Sequence, residues 1–290
     1  EAGREVLARN HQLQIEMGAD NVLLPPTGLK ERFPWLNVED LAAGCLGLSM
    51  EGGLDPQQLM TGFRRRARLQ GADYVADEVV GLERQDGRIV AVQLKSGARV
   101  ACGALVNAAG LWGAEIAAMA GIDLPVRPRK RQVFVLDCRE ALPNCPLVID
   151  PTGAYVRPEG AFFVAGTAPD EAEDPDSRDF EVDHGFFEDR LWPTLAHRIP
   201  ALEAVKVVNA WVGHYDMNLF DHNAVLGPHP DIANFYFANG FSGHGLQQSP
   251  AVGRALAELI SEGRFVTLDL SRFGFDRIAA GQPVVEENVV

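Results

Sequence analysis

Residues 235–260, FYFANGFSGHGLQQSPAVGRALAELI, run from an aromatic strand through a turn carrying Gly240, Gly243 and Gly245 into an amphipathic helix. Glycine accepts positive φ and has no Cβ to hold a flat or anionic partner away. The helix N-terminus behind such a turn carries roughly half a positive charge. Backbone N–H groups therefore come close to a ligand and stand as fixed donors where negative charge develops. Ser249 and Pro250 are expected in the opening turn of the helix. Glycine spacing alone is equally compatible with an ordinary strand, loop and helix.

Composition excludes several classes of partner. A net charge of −14 and a sequence pI near 4.9 argue against nucleic acid or an anionic membrane as the main partner. Cys45, Cys102, Cys138 and Cys145 show no CxxC spacing, so neither zinc nor a disulfide framework is signalled, and a reducing, cytosol-like compartment is the simplest setting. The most apolar run, 101–126, contains Asn107, Glu115 and Asp123 and reads as strand, turn and helix rather than a membrane span.

Along the chain, 1–18 reads as helix, and a Pro25-Pro26 loop leads into a short helical piece before Phe33. Asp55 is placed to cap a helix with Pro56 in its first turn, running to about Gln70 with Arg64, Arg65, Arg66 and Arg68 on a solvated face. Strands are expected near Tyr74, at 79–84 and at 89–94, with turns at Asp86-Gly87 and Ser96-Gly97 forming a meander. A strand at 104–107 and a helix from Trp112 follow. The middle alternates strands at 133–136, 155–157 and 162–165 with an acidic loop at 169–179 and a helix over 184–197 interrupted at Pro193. Arg127, Arg129, Lys130 and Arg131 are read as solvated loop charges ahead of a strand, with an acidic substrate, FAD phosphate or a partner protein as the alternative contacts.

Five segments in order, FPWL (33–36), VNAAGLW (106–112), VRPRKR (126–131), WVGHYDMNLFDHNAVLGPHP from Trp211, and GFSGHGLQQSPAVGRALAEL, carry a resemblance over nearly the whole chain. Together they resemble the D-amino-acid-oxidase-like family of FAD-dependent oxidoreductases, which includes sarcosine oxidase and dimethylglycine dehydrogenase. The resemblance implies an α/β fold with an α+β substrate part: a remnant of a three-layer FAD-binding domain with an inserted antiparallel-sheet substrate domain. It assigns 53–122 and 223–265 to FAD binding, 1–52 and 123–222 to the substrate side, and 266–290 to a C-terminal tail. Family members open with a GxGxxG turn for the FAD pyrophosphate, a pattern absent here, and the sequence begins at Glu1. The expectation is a longer flavoprotein whose upstream reading frame encodes that first βαβ unit.

By the same resemblance, FAD is contacted by main-chain atoms of Val79 and Val80 at the adenine. Asn107, Ala108, Ala109, Gly110 and Trp112 lie beside the ribityl and pyrophosphate portion, and Gly240, Phe241, Ser242, Gly243, His244, Gly245, Leu246 and Gln247 cover the flavin. Sarcosine oxidases attach flavin through a cysteine that aligns near Gly213, so FAD is expected to be noncovalent. A carboxylate-binding arginine of glycine-oxidase-like members aligns near Tyr215, and a lysine of sarcosine oxidases aligns with Gln247. Losing both cations points to a small secondary or tertiary amine held by other groups over a plain amino acid; an N-methylated amino acid is the other substrate expected from the family. Tyr155, Tyr215, His214 and His244 are the candidates for orienting or protonating groups, each also open to a structural role.

Three competing readings are weighed. Gly240, Ser242 and His244 superficially match a GxSxG nucleophile elbow, but His244 stands where glycine is required. His214, Asp216, His222 and His229 are chemically suited to a metal, yet their spacing is irregular, and no metal is expected. A noncatalytic scaffold aiding respiratory-complex assembly is the serious rival. Oxygen or a carrier is the electron acceptor, an oligomer is possible, and the setting is cytoplasmic, or the mitochondrial matrix if the source is eukaryotic.

Overall fold

The computed structural model describes residues 2–286. Its contacts divide the chain into a first unit, containing the residues up to Gly53 and Lys130–Gly213, and a second unit, Leu54–Arg129 with His214–Val285. The chain opens with α1 (Ala2–Glu16), β1 (Asn21–Leu24), α2 (Pro26–Arg32) and β2 (Gly44–Gly47), and β1 pairs antiparallel with β2. Pro26 begins α2, where a missing N–H costs no helical bond. Next comes α3 (Pro56–Leu69), capped as expected: the Asp55 carboxylate accepts the Gln58 N–H at 3.0 Å.

A three-stranded meander follows, β3 (Val79–Gln85), β4 (Arg88–Leu94) and β5 (Arg99–Ala101). Its first hairpin turns on Asp86 and Gly87, both at positive φ (49° and 76°), the geometry that matches strand twist. The strand expected near Tyr74 does not form. Among the described residues no strand pairs with it, and the exposed ring instead takes the Arg64 guanidinium 5.3 Å from its centroid. Then come β6 (Leu105–Asn107), a 3-10 turn over Gly110–Trp112, and α4 (Gly113–Met119).

The long β7 (Val126–Cys138) corrects the reading of the basic cluster, because Arg127 to Arg131 lie inside the strand. Alternation is the cause: Val126, Pro128, Gln132, Phe134 and Leu136 all fall on its buried face. In the first unit the cations meet the acidic loop. Lys130 Nζ lies 2.8 Å from Asp179, and Arg131 grips Asp174 through two bonds of 2.9 and 2.8 Å, both side chains nearly buried.

Downstream are β8 (Val148–Ile149), β9 (Tyr155–Glu159), β10 (Phe162–Gly166), α5 (His184–Phe186) and α6 (Trp192–Arg198). The break expected at Pro193 appears as one wide π-type turn, Phe187–Leu191, just before it, which absorbs the proline's missing donor. With β11 (Val205–Asn218), the sheet order is β11-β7-β10-β9-β8, and β10 runs antiparallel to β7 and β9. Phe134, Leu136 and Val156 pack with Phe187, Leu191 and Leu195 to form the core of this unit. Beside it, buried Arg198 bonds Asp150 at 2.7 Å and Asp40 at 2.8 and 2.9 Å, and that contact holds the Asp40 carboxyl down to about 2.

In the second unit, β12 (Val225–His229) is antiparallel to β13 (Ile232–Asn239), and β13 is parallel to β6, with Phe237 opposite Asn107. Asn234 ties this sheet to the meander: its side chain accepts from Ile89 N–H and donates to the Ile89 and Gly103 carbonyls. The helix expected to open at Ser249-Pro250 starts earlier, as α7 (Gly245–Glu262), with Pro250 in its interior. The missing Pro250 N–H deprives the Leu246 carbonyl of its partner, and the Ser249 hydroxyl donates to it at 2.9 Å. Gly263, at φ 72°, closes α7, and α8 (Asp276–Ala279) ends the fold. Phe235, Phe237, Val225 and Ile232 form one core with Ile122 and Leu124; Val252, Ala255 and Leu256 of α7 form another with Leu226.

Two glycines offer a direct test of this packing. A Cβ on Gly113 would stand 2.4 Å from Asn239 Nδ2, whereas one on Gly253 in α7 meets nothing within 4 Å. Gly113→Ala is expected to destabilise by about 1–3 kcal/mol, and Gly253→Ala to stabilise by about 0.5–1 kcal/mol, as read from urea unfolding of each variant.

Candidate functional site

The parallel pair β6 and β13 ends in two asparagines, Asn107 and Asn239, each followed by a turn and a helix. Such paired carboxyl ends are where open α/β sheets bind ligands. Asn107 is buried and organises the first turn: its Nδ2 donates to Gly113 O at 2.8 Å and its Oδ1 accepts the Ala109 N–H at 3.3 Å. Asn239 Nδ2 reaches Asn107 Oδ1 at 3.4 Å. Its own Oδ1 is buried with no hydrogen-bond partner among the described residues.

Beyond Asn239 the chain passes through Gly240 at φ 72°, Ser242 at φ 53° and Gly243 at φ 100°. The end of β11 holds this turn. Asp216 Oδ2 accepts the Gly240 N–H at 2.7 Å, and its carbonyl accepts from Ser242 N at 3.3 Å. Asn218 N–H donates to Ser242 Oγ at 3.0 Å, and that hydroxyl donates to Gly240 O at 3.2 Å. Ser242 is thus buried and fully engaged by main chain, which leaves no free nucleophile in the superficial elbow.

The rest of the turn is open. His244 caps α7 with its carbonyl accepting the Gln248 N–H. Among the described residues no hydrogen bond engages the N–H groups of Gly243, Gly245, Leu246 or Gln247, the orphans that any helix N-terminus leaves. Tyr215 lies against Gly243 so closely that a Cβ there would stand 2.4 Å from Tyr215 Cε2 and 3.0 Å from its hydroxyl oxygen. Glycine is required at this point by both φ and space.

The expected residues divide accordingly. Asn107, Ala108, Ala109, Gly110 and Trp112 form the first turn, with Asn107 buried and Trp112 half exposed. Gly240 to Gln247 form the second, bonded to the first through the two asparagines, and Tyr215 joins them on β11 beside half-buried His214. Val79 and Val80 open β3 in the meander of the same unit, Val80 being 48% exposed. Tyr155 belongs to the first unit, on β9, where a Cβ on Gly166 would meet its hydroxyl at 2.7 Å. Sequence reading missed Asn218, Asn239 and Gly113, and took Asp216 only as a possible metal ligand. The signal available was the YDMN segment, a carboxylate and an amide two residues apart at a strand end. Among the described residues no cluster of three His, Cys, Asp or Glu is placed to hold a metal, and no helix is long and apolar enough to cross a membrane.

Burial pushes the Asp216 carboxyl up, against the N–H groups of Gly240 and Phe241 that pull it down. The site therefore combines four N–H donors without a partner among the described residues, a phenol packed against Gly243, and one orphaned amide oxygen. That donor set fits a planar, partly anionic ligand such as a flavin.

These features are those of an α/β protein with two turns at the carboxyl edge of a parallel strand pair. The family model for FAD dependent oxidoreductases (DAO) matches residues 1–259, and the chain belongs to that family. FAD-dependent oxidoreductase domain-containing protein 1 of Xenopus laevis is 43% identical over 326 residues, covering 100% of this chain and 64% of the relative. The chain thus spans under two thirds of that relative's length. Mitochondrial sarcosine dehydrogenase of Mus musculus is 27% identical over 88% of this chain and 29% of its own. Among solved structures, L-proline dehydrogenase from P. horikoshii superposes with a TM-score of 0.87 at 27% identity, covering 98% of this chain and 75% of that one.

A buried carboxylate with a raised pKa gives a signed prediction. The folded state holds the Asp216 proton to higher pH than the unfolded chain does, so this group's contribution to stability falls as pH rises from the ordinary carboxylate range through its raised value. Asp216→Asn keeps an acceptor without the charge. Its urea midpoint relative to wild type is expected to rise with pH across that window; a constant difference would show that Asp216 ionises as an ordinary carboxylate.

Proposed function

We propose that the protein oxidises a C–N bond of a small secondary or tertiary amine, or of an N-methylated amino acid, with noncovalently held FAD as hydride acceptor. Tyr215 seated against Gly243 of the open turn is the observation that carries this reading. It sets a phenol next to the backbone donors of the cofactor turn, at a position where an amine-bearing substrate needs an orienting group.

Bound FAD supplies the hydride chemistry itself. The chain's part is to bind and orient. The N–H groups of Gly243, Gly245, Leu246 and Gln247, backed by the α7 dipole, favour negative charge on the cofactor edge. Asn107 to Trp112 line the neighbouring turn, and Val79 and Val80 offer main chain to the adenine. The second unit is read as the FAD-binding part, and the five-stranded sheet of the first as the substrate part, to which Tyr155 contributes. His214 and His244 are read as accepting or relaying the amine proton. Gly213 offers no side chain for covalent attachment.

Two observations support the substrate class. For the amine arm of the proposal, Tyr215 and Gln247 occupy positions at which a cationic carboxylate anchor is expected by resemblance, and each missing charge-assisted hydrogen bond is worth about 1.5–3 kcal/mol to any carboxylate. The names of sarcosine dehydrogenase and L-proline dehydrogenase specify secondary amines. A noncatalytic scaffold is not favoured by a family match that runs over residues 1–259.

The test is anaerobic mixing of the flavin-loaded full-length protein with sarcosine, N,N-dimethylglycine and L-proline, against glycine and alanine. The visible flavin absorbance is expected to bleach with N-alkylated amines. Bleaching by the primary amino acids alone would defeat the substrate assignment, and no bleaching by any of them would defeat amine oxidation. Tyr215→Phe is expected to lower kcat/KM about tenfold or more, the loss of one orienting hydrogen bond of about 1.4 kcal/mol.

A further inference from the structure

The family model stops at residue 259, yet the segment after it is bound into the second unit by a buried ion pair. Asp221, with a fully buried side chain, receives Arg277 Nε at 2.8 Å and Nη2 at 2.9 Å, while the Arg277 side chain is 6% exposed. The same carboxylate accepts the N–H of Val284 at 2.9 Å and the Nδ2 of Asn218 at 2.9 Å. Arg277 also donates to the carbonyls of Phe273 at 2.7 Å and Asn223 at 3.0 Å, and Asn223 Nδ2 donates to Val284 O at 2.9 Å. Asn218 is the hinge of the arrangement. Its side chain is held by Asp221 and by the Asn223 carbonyl at 2.6 Å, and its backbone N–H donates to Ser242 Oγ inside the glycine turn.

We propose that residues 273–284 act as a clasp on the cofactor turn, with Asp221 and Arg277 as positioning residues that act through Asn218 on Ser242. A charged hub of this kind is all-or-none, because removing either partner leaves the other buried without compensation. Tail and turn then open together or not at all. The clasp concerns the turn itself and holds whether or not a flavin occupies it; only its bearing on cofactor binding rests on the function proposed above.

Native-state hydrogen exchange on the full chain tests this without any variant. The amides of Arg277 and Val284 are expected to exchange through the same opening, with the same denaturant dependence, as the amide of Asn218. A tail that opens at lower denaturant while Asn218 stays protected would overturn the proposal. Arg277→Met is expected to speed exchange at Asn218 and Ser242 by about tenfold or more, leaving the β3–β4 hairpin unchanged. Arg277→Lys, which keeps the charge but not the fork, is expected to restore part of that protection. Equal acceleration in the hairpin, or none at Asn218, would reduce the pair to a general stabiliser and overturn the positioning role. Should Arg277→Met fail to fold, the wild-type exchange pattern decides alone.

Discussion

The hydrogen bonds that Asp216 accepts from Gly240 on its carboxylate and from Ser242 on its carbonyl are what the site's geometry depends on. A turn with φ of 72°, 53° and 100° at Gly240, Ser242 and Gly243 has no ladder of its own to hold it. Ser242 is the costly residue, since a side chain at positive φ stores strain of about 1–3 kcal/mol unless its surroundings over-determine it. Here they do: Asp216 takes the Gly240 N–H on its carboxylate and the N–H of Ser242 itself on its carbonyl, and Asn218 fixes the Ser242 hydroxyl.

Holding the turn this way sorts its donors by direction. Gly240 and Ser242 give theirs to Asp216 on β11, while those of Gly243, Gly245, Leu246 and Gln247 have no partner among the described residues at the start of an 18-residue helix. The first set is structural and the second is available. In a chain with net charge −14, that local patch of unpaired N–H groups is where an anionic edge meets favourable potential without any lysine or arginine. Backbone dipoles give this charge preference with no side-chain entropy to lose, and they cannot be titrated away.

Much of this was legible in the sequence, and the limits have physical causes. The strand, glycine turn and helix over 235–260 were plain because aromatic alternation, three glycines and an amphipathic period agree with one another. The Asp55 cap and the Asp86-Gly87 hairpin were equally local, set by residues adjacent in the chain. What sequence misplaced was decided by partners far away. Arg127 to Arg131 read as a loop because charges rarely line a strand, yet Lys130 and Arg131 find Asp179 and Asp174 more than forty residues on. Tyr74 has strand propensity but no pairing neighbour among the described residues. Pro250 signalled a helix start, and the structure instead tolerates it inside α7 through a single serine hydroxyl. The role of Asp216 was invisible for the same reason: nothing local says that a carboxylate at a strand end will sit 2.7 Å from an amide 24 residues later.

The period of β11 explains how one short segment serves two ends. Successive residues of a strand face opposite ways, so Asp216 and Asn218 present themselves alike while Tyr215, one residue before them, does not. The even pair continues the strand's hydrogen bonding onto residues 240–242 with a side chain, a carbonyl and an amide in place of a regular ladder. The odd residue is left to lie against Gly243, beside the outward donors. A one-residue slip of β11 would exchange these roles, placing a phenol where the carboxylate accepts the Gly240 N–H. The register is therefore fixed at this end by the Asp216 bonds and by Asn218, which is anchored in turn by buried Asp221. Structural and chemical demands are met by alternate side chains of the same four residues, which ties the position of Tyr215 to the integrity of the turn it faces.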